Sequence, residues 1–335
     1  MKIILDAMGG DNAPLAPVEA AALAASALDT DVVLVGRGEE ILKAMTQLGM
    51  SDIPQRVEIT NANDVIDMHE DPTNAIRTKR NSSMVVALNM LKDGEGKALV
   101  SAGSTGALLT GATLIVKRIK GIRRAALAPT LPSAAGTRII IDSGANIECT
   151  PEMLLQFGEL GYAYAKNVME KASPKVGLLN IGEEDTKGTP LHKSAYALLK
   201  ECKSINFIGN VEARDVFLRD VDVIVCDGFS GNVLLKSLEG MGLYMSKLLK
   251  EILTKNARTK LAAAMVKKDI LAMRRQMDYA EVGGSILLGV QKPVIKAHGS
   301  SDARALFNAI GQAVKCANSG FINDINIFGG TNSDD

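Results

Sequence analysis

Ala98-Leu99-Val100-Ser101-Ala102-Gly103-Ser104-Thr105-Gly106 joins a short, wholly apolar run to a loop of glycine and hydroxyl residues. An apolar run without alternation marks a strand covered on both faces, and the loop after it predicts a bend into a helix. The pattern recurs three times. Ile139-Ile140-Ile141 precedes Asp142-Ser143-Gly144-Ala145-Asn146, Val223-Ile224-Val225 precedes Asp227-Gly228-Phe229-Ser230-Gly231-Asn232, and Val294-Ile295 precedes His298-Gly299-Ser300-Ser301-Asp302. Buried strands that each bend into a helix predict an open α/β sheet, whose loops gather at the carboxyl ends of the strands, where ligands bind. Small residues there let backbone N–H groups approach an anion, and a following helix adds its positive end. The pattern therefore predicts a phosphate site.

Outward from these runs, Ile3-Ile4-Leu5 and Val32-Val33-Leu34-Val35 flank an alanine-rich helix from Pro17 to Leu28, which makes a βαβ unit. Asp71-Pro72 and Thr150-Pro151-Glu152 are helix starts; Ser82-Ser83 opens a helix through Met84, Leu88 and Leu91 that Gly94 closes. Further strands are read at Val176–Asn180, Ile205–Ile208 and Val221–Val225. Strands alternating with helices predict an α/β fold with a mostly parallel sheet covered on both faces and right-handed crossovers. From Asn232 to Met277 the pattern turns to nearly continuous helix. The expected organisation is an α/β catalytic core over residues 1–231 and 279–320, a protruding helical hairpin over 232–278, and a tail over 321–335.

The 335 residues, 47% of them hydrophobic and 23% charged, suffice for a substantial core. Lysine plus arginine equals aspartate plus glutamate at 38 each, so no global field favours nucleic acid and a charged partner must meet a local patch. The opening residues lack the features of a signal peptide, and no run approaches the roughly 18 apolar residues of a membrane span, which leads to the expectation of a cytoplasmic protein. Cys149, Cys202, Cys226 and Cys316 are widely spaced and read as reduced thiols; Cys226, closing an apolar strand beside Asp227, reads as a buried structural thiol.

Asp6-Ala7-Met8-Gly9-Gly10-Asp11-Asn12 follows the first strand, and is either a tight turn with a capping aspartate or a set of backbone donors at the ligand-bearing edge. Gly182 to Thr189 has the outline of a P-loop, but Lys187 precedes the glycine and the nucleotide motif fails. Lys187 is then a solvated loop lysine or a mobile cation for phosphate. Arg77, Lys79 and Arg80 form either a solvated face or an anion clamp. His298 lies in one of the four loops, where it serves as an acid, base or oxyanion donor, or as a structural hydrogen bond across the loop. No G-x-S-x-G elbow, H-E-x-x-H helix or Cys/His pair is present, and no G-x-G-x-x-G follows the opening strand. That absence fits a reaction whose nucleophile is itself a substrate. Phosphate attacking a thioester is such a case, because the anion needs little activation and a thiolate leaves readily; the protein holds and aligns it.

Between Lys255 and Met277, apolar pairs four apart, Leu261 with Met265 and Val266 with Ile270, lie beside Arg258, Lys260, Lys267, Lys268, Arg274 and Arg275. This amphipathic stretch packs on its own domain or a dimer mate, or it touches a membrane surface or an acidic protein.

Several of these segments closely resemble the bacterial phosphate acyltransferases of phospholipid synthesis: MKIILDAMGGDNAP from Met1, NSSM from Asn81, SAGSTGA from Ser101, APTLP from Ala128, NIGEEDTKGT from Asn180, NFIGNVEARD from Asn206, DGFSGN from Asp227 and PVIKAHGSSD from Pro293. The resemblance runs to about Cys316. It implies transfer of a long-chain acyl group from acyl carrier protein to inorganic phosphate, giving acyl phosphate for a membrane glycerol-phosphate acyltransferase. It further implies a homodimer with an isocitrate/isopropylmalate dehydrogenase-like sheet, no metal or organic cofactor, and a cytoplasmic protein peripherally and transiently associated with membrane. Carrier protein is acidic, so the basic hairpin would contact carrier protein or lipid through Arg258, Lys260, Leu261, Met265, Lys267, Lys268, Arg274 and Arg275. The resemblance supplies no catalytic set. The residues themselves nominate Asp6, Gly9, Gly10, Gly103, Ser104, Thr105 and Gly106 for phosphate and oxyanion binding, Lys187 as anion clamp, and His298 with Asn232 at the reacting centre. A short-chain phosphotransacetylase-like enzyme, an NAD-dependent decarboxylating dehydrogenase on the same fold and a non-catalytic lipid-surface sensor are the alternatives.

Overall fold

The computed structural model describes residues 1–133, 136–270 and 283–328. Its first half alternates as read from the sequence: β1 (Lys2–Asp6), α1 (Leu15–Ala27), β2 (Asp31–Gly36), α2 (Gly38–Gln47), β3 (Val57–Asn61), α3 (Pro72–Thr78), α4 (Ser83–Asp93), β4 (Ala98–Ser101) and α5 (Thr105–Gly111). The caps act as their residue types dictate. Asp71 accepts from the Asn74 N–H with Pro72 in the first turn, Ser82 accepts from the Val85 N–H, and Gly94 ends α4 in the left-handed conformation. Then follow β5 (Ala126–Ser133), β6 (Gly136–Ile141), α6 (Pro151–Asn167), β7 (Lys175–Asn180), α7 (Pro190–Glu201), β8 (Asn206–Glu212), β9 (Val223–Val225), α8 (Gly228–Thr254), α9 (Ala257–Met265), β10 (Ser285–Leu288), β11 (Val294–Lys296), α10 (Ala303–Ser319) and α11 (Phe321–Phe328).

The strands form an 11-stranded sheet in the order β3-β2-β1-β4-β11-β10-β5-β6-β9-β7-β8. Strands β1 to β4 and β11 run parallel to one another, and β6, β9, β7 and β8 do likewise. Between the two groups, β10 is antiparallel to both β11 and β5, and β5 is antiparallel to β6. Three consecutive reversals turn the second group upside down relative to the first. This corrects the expectation that all four glycine-hydroxyl loops gather at one edge: those after β4 and β11 leave one edge, and those after β6 and β9 leave the other.

One sheet face carries a continuous apolar layer. Ile3, Leu5, Val100, Ile295 and Ile141 belong to it, together with Val18 of α1, Leu154 of α6 and Leu306 of α10. The opposite face is divided. Ile4, Leu99 and Val294 pack with Leu88 of α4 and Leu108 of α5, whereas Leu131, Ile140 and Ile224 pack with Leu234 of α8. Each buried residue of this kind is worth roughly 1.5–3 kcal/mol, so both clusters hold their helices firmly. The break between them lies near the carboxyl ends of β4 and β11.

Helix α8 begins at Gly228, within the stretch read as core, and its buried residues are Gly228, Gly231 and Leu234. Beyond them it exposes Met241, Leu243, Tyr244 and Ile252, and α9 exposes Leu261 and Met265 at 67% and 81%. Arg258, Lys260, Lys267 and Lys268 are exposed as well. Arg274 and Arg275 lie outside the described residues. The chain from residue 321, read as a tail, continues as α11, with Phe321 edge-on to the buried ring of Tyr164. Among the described residues, no helix is long and apolar enough to cross a membrane.

Candidate active site

From β1 the chain steps outward to β2 and β3, while β4 pairs on the other flank of β1. The carboxyl ends of β1 and β4 thus border a topological switch point, the position at which open α/β sheets bind ligands. Alternation along each strand determines what lies there. Ile4, Leu99 and Val294 face the divided side of the sheet, so Asp6, Ser101 and Lys296, each two residues on, face it too. Leu5 pairs with Val100, and Ser101 pairs with Lys296, which in turn pairs with Ser285. Asp6, Ser101 and Lys296 therefore make a polar row across three adjacent strands, all three buried.

The row is bonded into its loops. Ser101 Oγ donates to Asp6 Oδ2 at 2.7 Å and accepts from the Gly103 N–H at 3.1 Å. Asp6 Oδ1 accepts from the Met8 N–H at 3.2 Å. Burial pushes the Asp6 carboxyl upward, opposed by hydrogen bonds from Ser83, Ser101, Met8 and Gly9 that favour its charge. Lys296 Nζ donates to Ala102 O at 3.2 Å and to Ala297 O. Burial pulls its ammonium down to about 8, while Asp6 and Asp11 hold it up and Lys236 of α8 pushes it further down.

Glycine is required where these loops touch. A Cβ on Gly9 would fall 2.6 Å from Gly103 N and 2.7 Å from Asp6 Oδ2; Gly10, at φ +95°, would place one 2.9 Å from Gly299 O. The Asp11 N–H donates to Gly299 O at 2.8 Å, and Asn12 Nδ2 donates to Ser300 O and Ser301 O at 3.1 Å each. The loops after β1, β4 and β11 are thereby locked together. His298, exposed on the third of them, accepts at Nδ1 from the Ser300 N–H at 3.2 Å and lies 2.8 Å from Ser300 Oγ. In the neutral ring this puts the proton on Nε2. Ser104 Oγ is spent capping α5 on the Ala107 N–H, Thr105 is exposed, and Gly106 packs against Pro72 of α3.

The structure brings Asp6, Gly9, Gly10, Gly103 and His298 into one cluster, with Ser104, Thr105 and Gly106 on the loop leaving it. It does not bring Lys187 or Asn232 there. Both follow strands of the inverted group. Lys187 is exposed on the loop after β7, whose backbone is held by Lys187 N–H to Glu184 O at 3.1 Å and by Asn180 Nδ2 to Lys187 O at 3.3 Å. Asn232, in the first turn of α8, borders Gly144 of the loop after β6. That loop is organised by Asp142, which accepts from the N–H groups of Leu127, Gly144, Ala145 and Asn146 and from Asn146 Nδ2. Cys226 is buried with its thiol pushed well up by burial, the character of a structural sulfur. In the Arg77, Lys79, Arg80 group, Lys79 donates to Val65 O and pairs with Glu70.

Lys296 and Ser83 escaped the sequence reading of the site. Alternation from Val294 puts Lys296 on the same face, but a lysine closing an apolar run ordinarily marks emergence into water, so the sequence did not single it out.

A family described as "Fatty acid synthesis protein" matches residues 1–324. The phosphate acyltransferase of Shouchella clausii is 48% identical over 93% of this chain and 94% of its own length. That of Alkaliphilus oremlandii is 47% identical over 94% and 93%. The chain belongs to this family. It is an enzyme of the acyltransferase class, as its relatives are. Among solved structures, a phosphotransacetylase from Streptococcus pyogenes superposes with a TM-score of 0.63 at 20% identity, covering 95% of this chain and 94% of the other. At that identity the likeness establishes a shared fold, a large mostly parallel sheet flanked by helices.

Proposed function

We infer that this member of the fatty acid synthesis protein family transfers a long-chain acyl group from the thioester of acyl carrier protein to inorganic phosphate, releasing acyl phosphate for a membrane glycerol-phosphate acyltransferase. The observation that carries the reading is the buried polar row Asp6, Ser101 and Lys296, at the switch point of a sheet whose relatives are named phosphate acyltransferases. A phosphate oxygen attacks the thioester carbonyl carbon, the C–S bond breaks, and the carrier thiolate leaves and is protonated by solvent. The chain's task is to hold the anion against the carbonyl and stabilise the oxyanion, which fixed amides and a buried cation perform. Gly9, Gly10, Gly103, Ser104, Thr105 and Gly106 shape that cradle, with His298 beside it.

The core read over residues 1–231 and 279–320 resembles an isocitrate/isopropylmalate dehydrogenase-like sheet in this reading, and α8 with α9 is the described part of the helical hairpin read over residues 232–278, of which 271–278 lie outside the described residues. Its exposed apolar and basic side chains suit an acidic carrier protein, a second copy in a homodimer, or transient contact with lipid, in a cytoplasmic, peripherally membrane-associated enzyme. The deciding assay follows thioester loss from long-chain acyl carrier protein with and without phosphate, and from acyl coenzyme A. Cleavage only with phosphate, faster from the carrier protein, is the expected result. Turnover confined to acetyl donors would instead establish the short-chain reaction, and saturable binding of a nicotinamide cofactor would favour the dehydrogenase.

A further inference from the structure

The divided face of the sheet contains a buried cation whose contact with substrate the proposed function leaves unspecified. Lys296 is 7% exposed and sits where the α4–α5 cluster and the α8 cluster part. Among the described residues it forms no ion pair within 4.0 Å; its hydrogen-bond acceptors are two backbone carbonyls, Ala102 O and Ala297 O. An ammonium carries three N–H donors, so one is left for a third acceptor. A buried charge without a carboxylate against it is costly, and such a group is kept where an anion completes it. The surroundings are built around that point. Asp6 is turned toward Ser101 and Ser83, while the Ala102 carbonyl that receives Lys296 belongs to the same loop as Gly103 and Ser104.

We propose that Lys296 Nζ is the cationic contact for the phosphate co-substrate, donating its third N–H to a phosphate oxygen at the junction of the three loops. The assignment rests on the phosphate-dependent reading above and deepens it. It makes Lys296, rather than the exposed Lys187, the anion clamp. A charge-assisted bond in a dry site orients the nucleophile as well as binding it, and Asp6 behind the row keeps the ammonium charged.

The test uses the full chain with Lys296→Met, Lys296→Ala and Lys187→Ala, each checked for wild-type circular dichroism. Steady-state kinetics with long-chain acyl carrier protein should show the KM for phosphate raised by about tenfold or more in both Lys296 variants, with the donor KM unchanged. Methylammonium should partly restore the alanine variant, since it refills the space with an ammonium. Inorganic phosphate should raise the melting temperature of wild type and of Lys187→Ala but not of either Lys296 variant. A folded Lys296 variant with an unaltered phosphate KM and undiminished thermal protection would overturn the assignment, as would the same losses appearing in Lys187→Ala instead. Wild-type thioester turnover without phosphate would overturn the proposed function itself, a distinct result visible before any variant is made.

Discussion

Replacing Lys296 by methionine should stabilise the protein at neutral pH, and the size of the effect follows from the burial. In an unfolded chain the ammonium titrates near 10.5, whereas in the fold burial brings it to about 8. At about 1.4 kcal/mol for each unit, holding the charged form inside costs roughly 3 kcal/mol below pH 8. The sign is that of a depressed lysine: between pH 8 and 10.5 the unfolded state binds more protons, so wild-type stability rises with pH across that window. Methionine fills a similar volume and forfeits the bonds to Ala102 O and Ala297 O, which contribute about 1 kcal/mol each against water. Paired urea unfolding of wild type and Lys296→Met at several pH values, without phosphate, cancels the titrations of groups remote from Lys296 and leaves this group with its coupled neighbours Asp6, Asp11 and Lys236. The variant should be more stable by about 1 kcal/mol near pH 7, and the difference should move by roughly 3 kcal/mol in favour of wild type by pH 10.5. A difference that stays flat from pH 7 to 10.5 would show that Lys296 is not charged and buried, and would remove the cation from the site.

Turnover at subsaturating phosphate should decline above about pH 8 as Lys296 loses its proton, given Asp6, Asp11 and Lys236 as its charged neighbours. Asp6→Asn, which deletes a charge that supports the ammonium, should shift that decline to lower pH; an unmoved limb would assign it to another group. Gly9→Ala forces a methyl to 2.6 Å from Gly103 N, and overpacking of this kind costs about 1–3 kcal/mol. Thermal unfolding should register the loss together with a lower kcat, and a variant equal to wild type in both would mean that the loops are not locked. The double change Leu261→Ser and Met265→Ser touches side chains 67% and 81% exposed, so stability should stay within about 0.5 kcal/mol. Its turnover should fall with acyl carrier protein but not with acyl coenzyme A, and equal falls with both donors would assign the surface to contacts between copies.

Most elements were legible because each depends on local chemistry. The apolar runs of β1, β2, β4 and β11, the caps at Asp71, Ser82 and Thr150 and the stop at Gly94 all act within a few residues of themselves. The inversion of the second half was not legible. Its cause is the antiparallel run β11-β10-β5-β6, in which β10, from residues 285–288, inserts between β11, the next strand in sequence, and β5, which is far from it in sequence. Periodicity reports which residues are buried, not which way a strand points. The mistake of placing all four loops at one edge followed from taking each βα unit as parallel to the last.

The same limit explains the site. Asp6, Gly9, Gly103 and His298 were found because they stand in loops whose composition is unusual. Lys296 stands at a strand end, and a lysine closing an apolar run ordinarily marks the chain's emergence into water. Only the register makes it otherwise: Lys296 lies opposite Ser101, which bonds Asp6, and Val294 two residues earlier fixes the same face as buried. A cation placed by pairing rather than by motif is set by β11 and the strands on either side of it, whereas Lys187 is carried on an exposed loop. An anion met there finds its donor already oriented, which is the condition under which electrostatic stabilisation lowers a barrier instead of merely binding a substrate.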